Sequence, residues 1–217
     1  MNTTMRGGYF CVCCGYRFTR DKERDVKQFA VFIDGSNFGS SCNVISRENE
    51  GWRPDYHKIR SYFGKRGDVV GCYYFTALPP ENEQAHLRKL TDHLQYNGWT
   101  LVTKETKSYV DNGVVRLKGN MDTDIVVEAF KMSEYISDLV LFSGDGDFTS
   151  MVKELQTRAV RVTAVSILSR DSTSMVADEL RRAVSQFIDL RDMAKEIALE
   201  REQDVTAKPA LKYLRGR

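Results

Sequence analysis

The 217-residue sequence predicts an α/β fold built on a mostly parallel sheet. Short apolar runs alternate with amphipathic segments of helical length, which is the pattern of right-handed β-α-β crossovers. The first run, 28–34, is apolar at nearly every position, as expected of a strand covered on both faces. Hydrophobic residues make up 41% of the chain, enough for a sizeable core.

Strand and helix signals continue along the rest of the chain. Apolar runs bounded by turn residues predict further strands at 69–78, 99–103, 139–142, 160–167 and 187–190. Apolar residues three or four apart predict helices over 55–63, 81–96, 121–136, 148–157, 172–183 and from 191 to about 201. Pro79-Pro80 ends the second strand, and Asn97-Gly98 ends the helix before the third. Asn112-Gly113, between two short apolar runs, predicts a β-hairpin within 108–117.

The pattern divides the chain into three parts. Residues 1–27 form a cysteine-containing amino-terminal extension, 28–190 form the globular domain, and 191–217 form a carboxyl-terminal helix and basic tail. Cys11 and Cys14 have the spacing of half a zinc-ribbon knuckle. Because a closed zinc site needs four ligands and no histidine lies nearby, a mobile arm with reactive thiols is the alternative interpretation.

Composition narrows the classes of function. No apolar run approaches the ~20 residues that cross a bilayer, and no signal peptide is recognised, so we expect a cytoplasmic protein that does not enter a membrane. The 32 basic and 30 acidic side chains give a net charge of +2, so nucleic acid would need a local basic surface. Neither a P-loop motif nor a Gly-x-Ser-x-Gly elbow occurs.

Three motifs carry carboxylates in the form of strand ends. They are Ile33-Asp34-Gly35-Ser36-Asn37, Lys118-Gly119-Asn120-Met121-Asp122-Thr123-Asp124 and Ser143-Gly144-Asp145-Gly146-Asp147-Phe148. The carboxyl ends of parallel strands meet at one edge, where open sheets bind ligands. Clustered carboxylates repel each other unless a cation lies between them, and oxygen ligands suit Mg²⁺ or Mn²⁺. The sequence therefore predicts one or two divalent ions held by Asp34, Asp122, Asp145 and Asp147.

Each motif also has a purely structural interpretation. Asp34 could begin an Asx turn, and Asp122 could cap the following helix, with Asp124 as a first-turn acid. The third motif is explained less well by capping, because a cap needs neither two aspartates nor two glycines. Asp124 and Glu128 remain candidates for secondary acids.

Polar residues around the acids are candidates for substrate binding. Acids that hold such ions indicate a metal-dependent phosphodiesterase site, and we expect its scissile and flanking phosphates to be held by Ser36, Asn37, Lys118 and Ser143. Arg116 or the hairpin near Tyr109 could clamp a single strand of nucleic acid, with Tyr109 as a stacking platform. A cross-strand packing role is the simpler interpretation of Tyr109.

In this order, the three motifs resemble those of the NYN domain family, PIN-like nucleases that include the LabA-like proteins. The resemblance covers roughly residues 28–190. It implies a PIN-like three-layer α/β/α sandwich and Mg²⁺- or Mn²⁺-dependent RNA cleavage, with the family's acidic positions on Asp34, Asp122, Asp145 and Asp147. Two-metal hydrolysis of this kind would leave a 5′-phosphate and a 3′-hydroxyl.

Two other functions are compatible with the same sequence. One is a non-catalytic NYN module that binds RNA or forms homo-oligomers, and the other is a metal-dependent phosphatase acting on small phosphoesters. Concentrated negative charge argues against a pure RNA binder, because it faces the phosphates it would have to attract. A phosphatase would share the metal site and differ in the width of its pocket.

Overall fold

The computed structural model describes residues 9–10, 17–18, 26–78, 85–105, 107–111, 114–118, 120–168 and 175–200. The strands of this part are β1 (Tyr9–Phe10), β2 (Arg17–Phe18), β3 (Gln28–Asp34), β4 (Asp68–Leu78), β5 (Thr100–Glu105), β6 (Lys107–Asp111), β7 (Val114–Lys118), β8 (Asp138–Phe142), β9 (Arg161–Ser166) and β10 (Gln186–Asp189). Its α-helices are α1 (Gly35–Glu48), α2 (Tyr56–Gly64), α3 (Ala85–Tyr96), α4 (Asp122–Met132), α5 (Thr149–Thr157), α6 (Asp178–Ala183) and α7 (Leu190–Ala194).

Six of these strands form one central sheet, in which every neighbouring pair is parallel. Their order is β10-β9-β8-β3-β4-β5. The strands β6 and β7 pair with each other in antiparallel fashion, outside the central sheet. The sheet confirms the predicted α/β fold, and the β6–β7 pair confirms the predicted hairpin.

Helices cover both faces of the sheet, as the continuous apolar run of β3 predicts. Because side chains alternate along a strand, Val31 and Ile33 pack into one core and Ala30 and Phe32 into the other. Helices α1, α2, α3 and α7 contribute to the first core, and α4, α5 and α6 contribute to the second. These three layers confirm the predicted α/β/α sandwich.

The strand order creates one topological switch point. From β3 the chain moves outward through β4 to β5, and then returns to place β8 on the other side of β3. From β8 it moves outward in the opposite direction through β9 to β10. The connections therefore diverge between β3 and β8, and open α/β sheets bind ligands in the crevice beyond the carboxyl ends of such strands.

Helix α1 is absent from the sequence-based prediction. Its first half is rich in glycine, serine and asparagine, which have low helix propensity. It forms because the Asp34 side chain caps its amino terminus and because Phe38 and Ile45 are buried against the sheet. Tertiary packing thus outweighs local propensity here.

The carboxyl-terminal prediction is partly wrong. The helix expected to reach about residue 201 ends at Ala194, and Ala198 instead forms a β-bridge with Pro54. Ile197 is fully buried, so the chain beyond α7 is held by core packing rather than by helix formation. The helix expected over 172–183 begins only at Asp178, and the one expected over 121–136 ends at Met132.

The described structure also gives information on membrane-spanning helices and on cysteines. No helix in the described residues is long and apolar enough to cross a membrane. Cys42 and Cys72 are free thiols, the first half-buried and the second buried. Burial raises the pKa of Cys42 to about 12, so this thiol stays protonated at neutral pH.

Candidate functional site

The carboxyl ends of β3 and β8 bring the first and third acidic motifs together. Asp34 is the last residue of β3, and Ser143 directly follows β8, the neighbouring strand. A short 3₁₀ turn, Gly146–Phe148, then leads into α5. The two motifs therefore meet at the switch point of the sheet.

Asp34 is anchored through both of its carboxylate oxygens. Oδ1 accepts hydrogen bonds from the backbone N–H groups of Ser36, at 3.1 Å, and Asn37, at 3.3 Å. Oδ2 accepts one from the hydroxyl of Ser143, at 3.1 Å. The residue is only 8% exposed, and this burial raises the pKa of its carboxyl group, with the bonds from Asn37 and Ser143 acting in the opposite direction.

Two side chains join the β3–α1 turn to the turn after β8. The fully buried Ser143 hydroxyl donates to Asp34 and accepts from the N–H of Asp145, at 3.2 Å. The amide oxygen of Asn37 accepts from the N–H of Gly144, at 3.0 Å. These bonds fix the positions of both acidic turns. They also engage the Ser143 hydroxyl within the protein, whereas Asn37 keeps its Nδ2 group as a donor in the cleft that it lines.

Three acids converge above these turns. Asp122, Asp145 and Asp147 each offer a carboxylate oxygen, and these oxygens all lie within 4.8 Å of one another. Asp145 is positioned by a bond from the Asp147 N–H to its Oδ1, at 3.0 Å, and the Asp122 N–H donates to Asn120 Oδ1, at 2.7 Å. None of the three forms an ion pair within the described part of the chain. This acidic cluster could hold a cation.

Asp34 belongs to the same cleft. The negative charge of Asp122 contributes to the raised pKa of Asp34, which places the two carboxylates within electrostatic reach of each other. The cleft has a volume of about 680 Å³. The described residues that line it are Asp34, Gly35, Ser36, Asn37, Ser40, Tyr74, Phe75, Thr76, Ala77, Leu87, Asn120, Met121, Asp122, Asp145 and Met175. Asp147 is exposed and is not among the lining residues, although its carboxylate lies within 4.8 Å of those of Asp122 and Asp145.

The two candidate secondary acids lie elsewhere on α4. Asp124 forms an ion pair with Lys104 on β5, with 2.6 Å between Nζ and Oδ2. Glu128 pairs with Lys131 at 2.7 Å, one turn further along the helix. Both acids are therefore neutralised by lysines, and neither lines the cleft.

Other predicted residues fall at the border of the described structure or outside it. Lys118 is the last residue of β7, and β6 pairs Tyr109 with Arg116. Cys11 and Cys14 lie outside the described residues, so the predicted zinc site stays a prediction.

Sequence reasoning missed several residues that shape the cleft. Tyr74 lines it from β4, and burial raises the pKa of this phenol to about 12, so it remains a neutral hydroxyl. Asn120, two residues before Asp122, has the spacing of an Asx turn, which is a signal in the sequence. The need for glycine at 144 arises from packing, because a Cβ there would overlap the carbonyl oxygen of Met175.

Comparisons with known proteins agree with this architecture. The sequence model of the NYN domain matches residues 28–192. The chain is 32% identical over 190 residues to the low amplitude and bright protein LabA of Synechococcus elongatus, which covers 85% of this chain and 95% of LabA. A crystal structure of a protein of unknown function from Vibrio parahaemolyticus shares the fold, with a TM-score of 0.62 and 20% identity over 82% of this chain and 99% of that one. The chain therefore belongs to the NYN domain family.

Proposed function

We propose that this protein is a divalent-metal-dependent ribonuclease that hydrolyses phosphodiester bonds of single-stranded RNA. The convergence of Asp122, Asp145 and Asp147 supports this most strongly, because three carboxylate oxygens within 4.8 Å repel one another until a cation joins them. Membership of the NYN domain family, which is PIN-like, supports a nuclease-related role. We assign the activity to residues 28–190.

The donor set suits a hard divalent cation. All three converging groups are carboxylates, and neither thiolate nor imidazole lines the cleft in the described structure. Such oxygen ligands favour Mg²⁺ or Mn²⁺ over zinc or copper. When bound, the ion would supply Lewis-acid chemistry, activating water and stabilising negative charge on the phosphate.

The other candidate residues would hold charge near the acidic cluster and position the phosphate of the substrate. Asp34 holds a fixed orientation through its bonds to Ser143 and to the start of α1, so its charge cannot swing away from the acidic cluster. Asn37 can direct its Nδ2 group at a phosphate oxygen, because Gly144 already occupies its carbonyl oxygen. Ser36 lines the same wall of the cleft. We propose Lys118, at the end of β7, as a further phosphate contact.

The charge of the cleft explains why a metal would be required. Asp34, Asp122 and Asp145 are the charged residues among its described lining, which contains no lysine, arginine or histidine. A phosphodiester entering this surface would be repelled without a cation at the acids. The same argument disfavours a module that only binds RNA, because such a module gains nothing from these acids.

A cleavage assay tests the proposal. Labelled single-stranded RNA is incubated with the parent protein, Asp145→Asn or Asp124→Asn, in Mn²⁺ or Mg²⁺. We expect Asp145→Asn to reduce cleavage by at least about 100-fold, since even residues behind metal ligands are worth about 10–100-fold. Asp124→Asn is the matched control, because Asp124 is paired with Lys104 outside the cleft, and its rate should stay within a few-fold of the parent. Chelation by EDTA should stop cleavage, and added Mn²⁺ should restore it.

Other outcomes of the assay would favour a different function. RNA binding without cleavage by the parent would favour the non-catalytic module. Hydrolysis of a small aryl phosphate without RNA cleavage would favour the phosphatase. Equal cleavage by the parent and Asp145→Asn would overturn the proposed active site.

A further inference from the structure

A second groove adjoins the cleft at Leu87. This groove has a volume of about 200 Å³ and lies between α3 and β5, at the edge of the sheet. Leu87 lines both cavities, so the groove continues from the wall of the cleft that is formed by Thr76 and Ala77. The cleft and the groove are therefore neighbours across the Leu87 side chain.

The periodicity of α3 and β5 determines the direction of this groove. Leu87, Thr91 and Gln95 are spaced four residues apart and form one stripe along α3. Leu101 and Thr103 alternate along β5 and face that stripe. Helix α3 begins near the cleft and runs toward the amino ends of the strands. The groove therefore leads away from the acids. From Leu87 to Gln95 it extends about 12 Å, which spans about three nucleotides at a stacked spacing of 3.4 Å.

The electrostatic character changes from the cleft to the groove. The cleft contains the acids, whereas Arg88 is the charged residue among the described lining of the groove. Arg88 is exposed and forms no ion pair with another residue of the described part. Thr91, Gln95 and Thr103 add neutral hydrogen-bonding groups. A guanidinium that forms no ion pair with the described residues, beside neutral polar groups, suits the backbone and sugars of a nucleic acid strand.

We propose that the groove between α3 and β5 is a subsite for the nucleotides of a single strand that flank the cleaved bond. Arg88 would contact a phosphate next to the scissile one, and Thr91, Thr103 and Gln95 would contact sugars or base edges. This inference rests on the proposed nuclease function, because the cleft must hold the same strand.

Binding of oligonucleotides of two lengths tests the subsite. The Asp145→Asn protein serves as the uncleaving background, and fluorescence anisotropy measures its affinity for RNA of three and nine nucleotides in Mn²⁺. The longer RNA should bind more tightly because it reaches the groove. Adding Arg88→Ala should weaken binding of the longer RNA by about fivefold at low salt and lower the slope of log affinity against log salt by about 0.7.

A matched arginine and a second groove variant complete the experiment. Arg66 is exposed, stacks on Tyr62 just before the start of β4 and is not among the residues that line the groove, so Arg66→Ala removes the same charge elsewhere and should leave the affinity unchanged. Gln95→Glu places a negative charge in the far end of the groove and should also weaken binding of the longer RNA. This variant provides the test if Arg88→Ala proves unstable.

The outcomes separate this inference from the proposed function. If RNA binds equally to the Arg88→Ala and Arg66→Ala proteins, and Gln95→Glu has no effect, the groove is not a subsite while the nuclease proposal stands. If the background protein binds neither RNA, and the parent cleaves neither, the proposed function fails first. A loss of affinity confined to Arg88→Ala and Gln95→Glu would support the subsite.

Discussion

The two ends of β8 carry acids in opposite electrostatic situations. At the amino end, Asp138 is 5% exposed, accepts a hydrogen bond from the Ser137 hydroxyl at 2.8 Å and lies 3.8 Å from the Arg161 guanidinium. At the carboxyl end, Asp145 and Asp147 have no cationic partner in the described structure. Among the described residues, a cation therefore compensates the acid at the amino end of β8, and none compensates the acids at the carboxyl end, where an ion could bind.

The largest expected effect of this difference is on metal affinity. Asp122→Asn removes one of the three converging carboxylates and should weaken Mn²⁺ binding by at least about 10–100-fold. Asp138 lies on β8, outside the acidic cluster. The Asp138→Asn protein should therefore bind Mn²⁺ with the same affinity as the parent. Isothermal titration calorimetry on the three proteins measures this contrast. Equal affinities throughout would show that the cluster does not hold the ion.

The next largest effect concerns Gly144, in the turn that carries Asp145 and Asp147. A Cβ at Gly144 would overlap the Met175 carbonyl oxygen and lie 2.7 Å from the Ser166 hydroxyl. Gly144→Ala should therefore reduce the free energy of unfolding by about 1–3 kcal/mol, the usual cost of overpacking. Gly39→Ala is the control, because a Cβ there meets no atom within 4 Å and its site is helical. That substitution should stabilise the protein by about 0.4–1 kcal/mol.

Urea denaturation distinguishes the two glycines. The midpoint should fall for Gly144→Ala and rise for Gly39→Ala, with unchanged slopes. A neutral Gly144→Ala would mean that the turn after β8 can shift, and the acidic cluster would then not be rigidly positioned. Mn²⁺ titration of the same variants would detect such a shift.

A smaller effect is expected at the compensated end of β8. Asp138→Ala removes a short hydrogen bond to a buried carboxylate and should lower the free energy of unfolding by about 1–2 kcal/mol. Arg161→Ala should cost only about 0–1 kcal/mol, since this arginine is 59% exposed and its ion pair is screened by water. Chemical denaturation of both variants measures these two losses in free energy of unfolding. A larger loss for Arg161→Ala than for Asp138→Ala would contradict this order.

The sequence predicts the acidic motifs well because each is a local signal. An apolar run that ends at Asp34 specifies both a buried strand and the position of its carboxylate. Asp145 could be placed at the same edge from the parallel arrangement alone, whereas Asp122 follows β7, which lies outside the central sheet, and reaches this edge at the start of α4. Their approach to within a few ångströms could not be derived, because it depends on how far α4 is displaced over the sheet.

Long-range partners account for most of what the sequence does not reveal. Asp124 follows Asp122 by two residues on α4 and so points to another side of the helix, where Lys104 of β5 pairs with it. Ser143 resembles an exposed turn residue in the sequence, yet it is fully buried beneath Asp34. Helix α1 has poor propensity and depends on the packing of Phe38.

The smallest expected effect concerns Asp34, which combines features of both ends of β8. It is buried and hydrogen-bonded like Asp138, but it faces Asp122 instead of a cation. Burial raises the pKa of Asp34 above its usual value of 3.8, so the folded protein holds this proton more tightly than the unfolded chain does. Its contribution to stability is thus greatest below 3.8 and declines as the pH rises through the folded pKa.

Asp34→Asn should reveal this decline in metal-free protein. The Asn side chain stays neutral at every pH, so the variant does not lose this contribution. In EDTA, the melting temperature of the variant minus that of the parent should therefore increase as the pH rises above 3.8, and should become constant above the folded pKa. The Asn carbonyl oxygen can still accept the bonds from Ser36 and Asn37, which keeps the cap of α1. Asp124→Asn, measured in parallel, should instead lose stability or stay level, because its charge is paired with Lys104. A pH-independent difference between the parent and Asp34→Asn would mean that burial of Asp34 is compensated in the folded protein. The need for a cation would then come from Asp122, Asp145 and Asp147 alone.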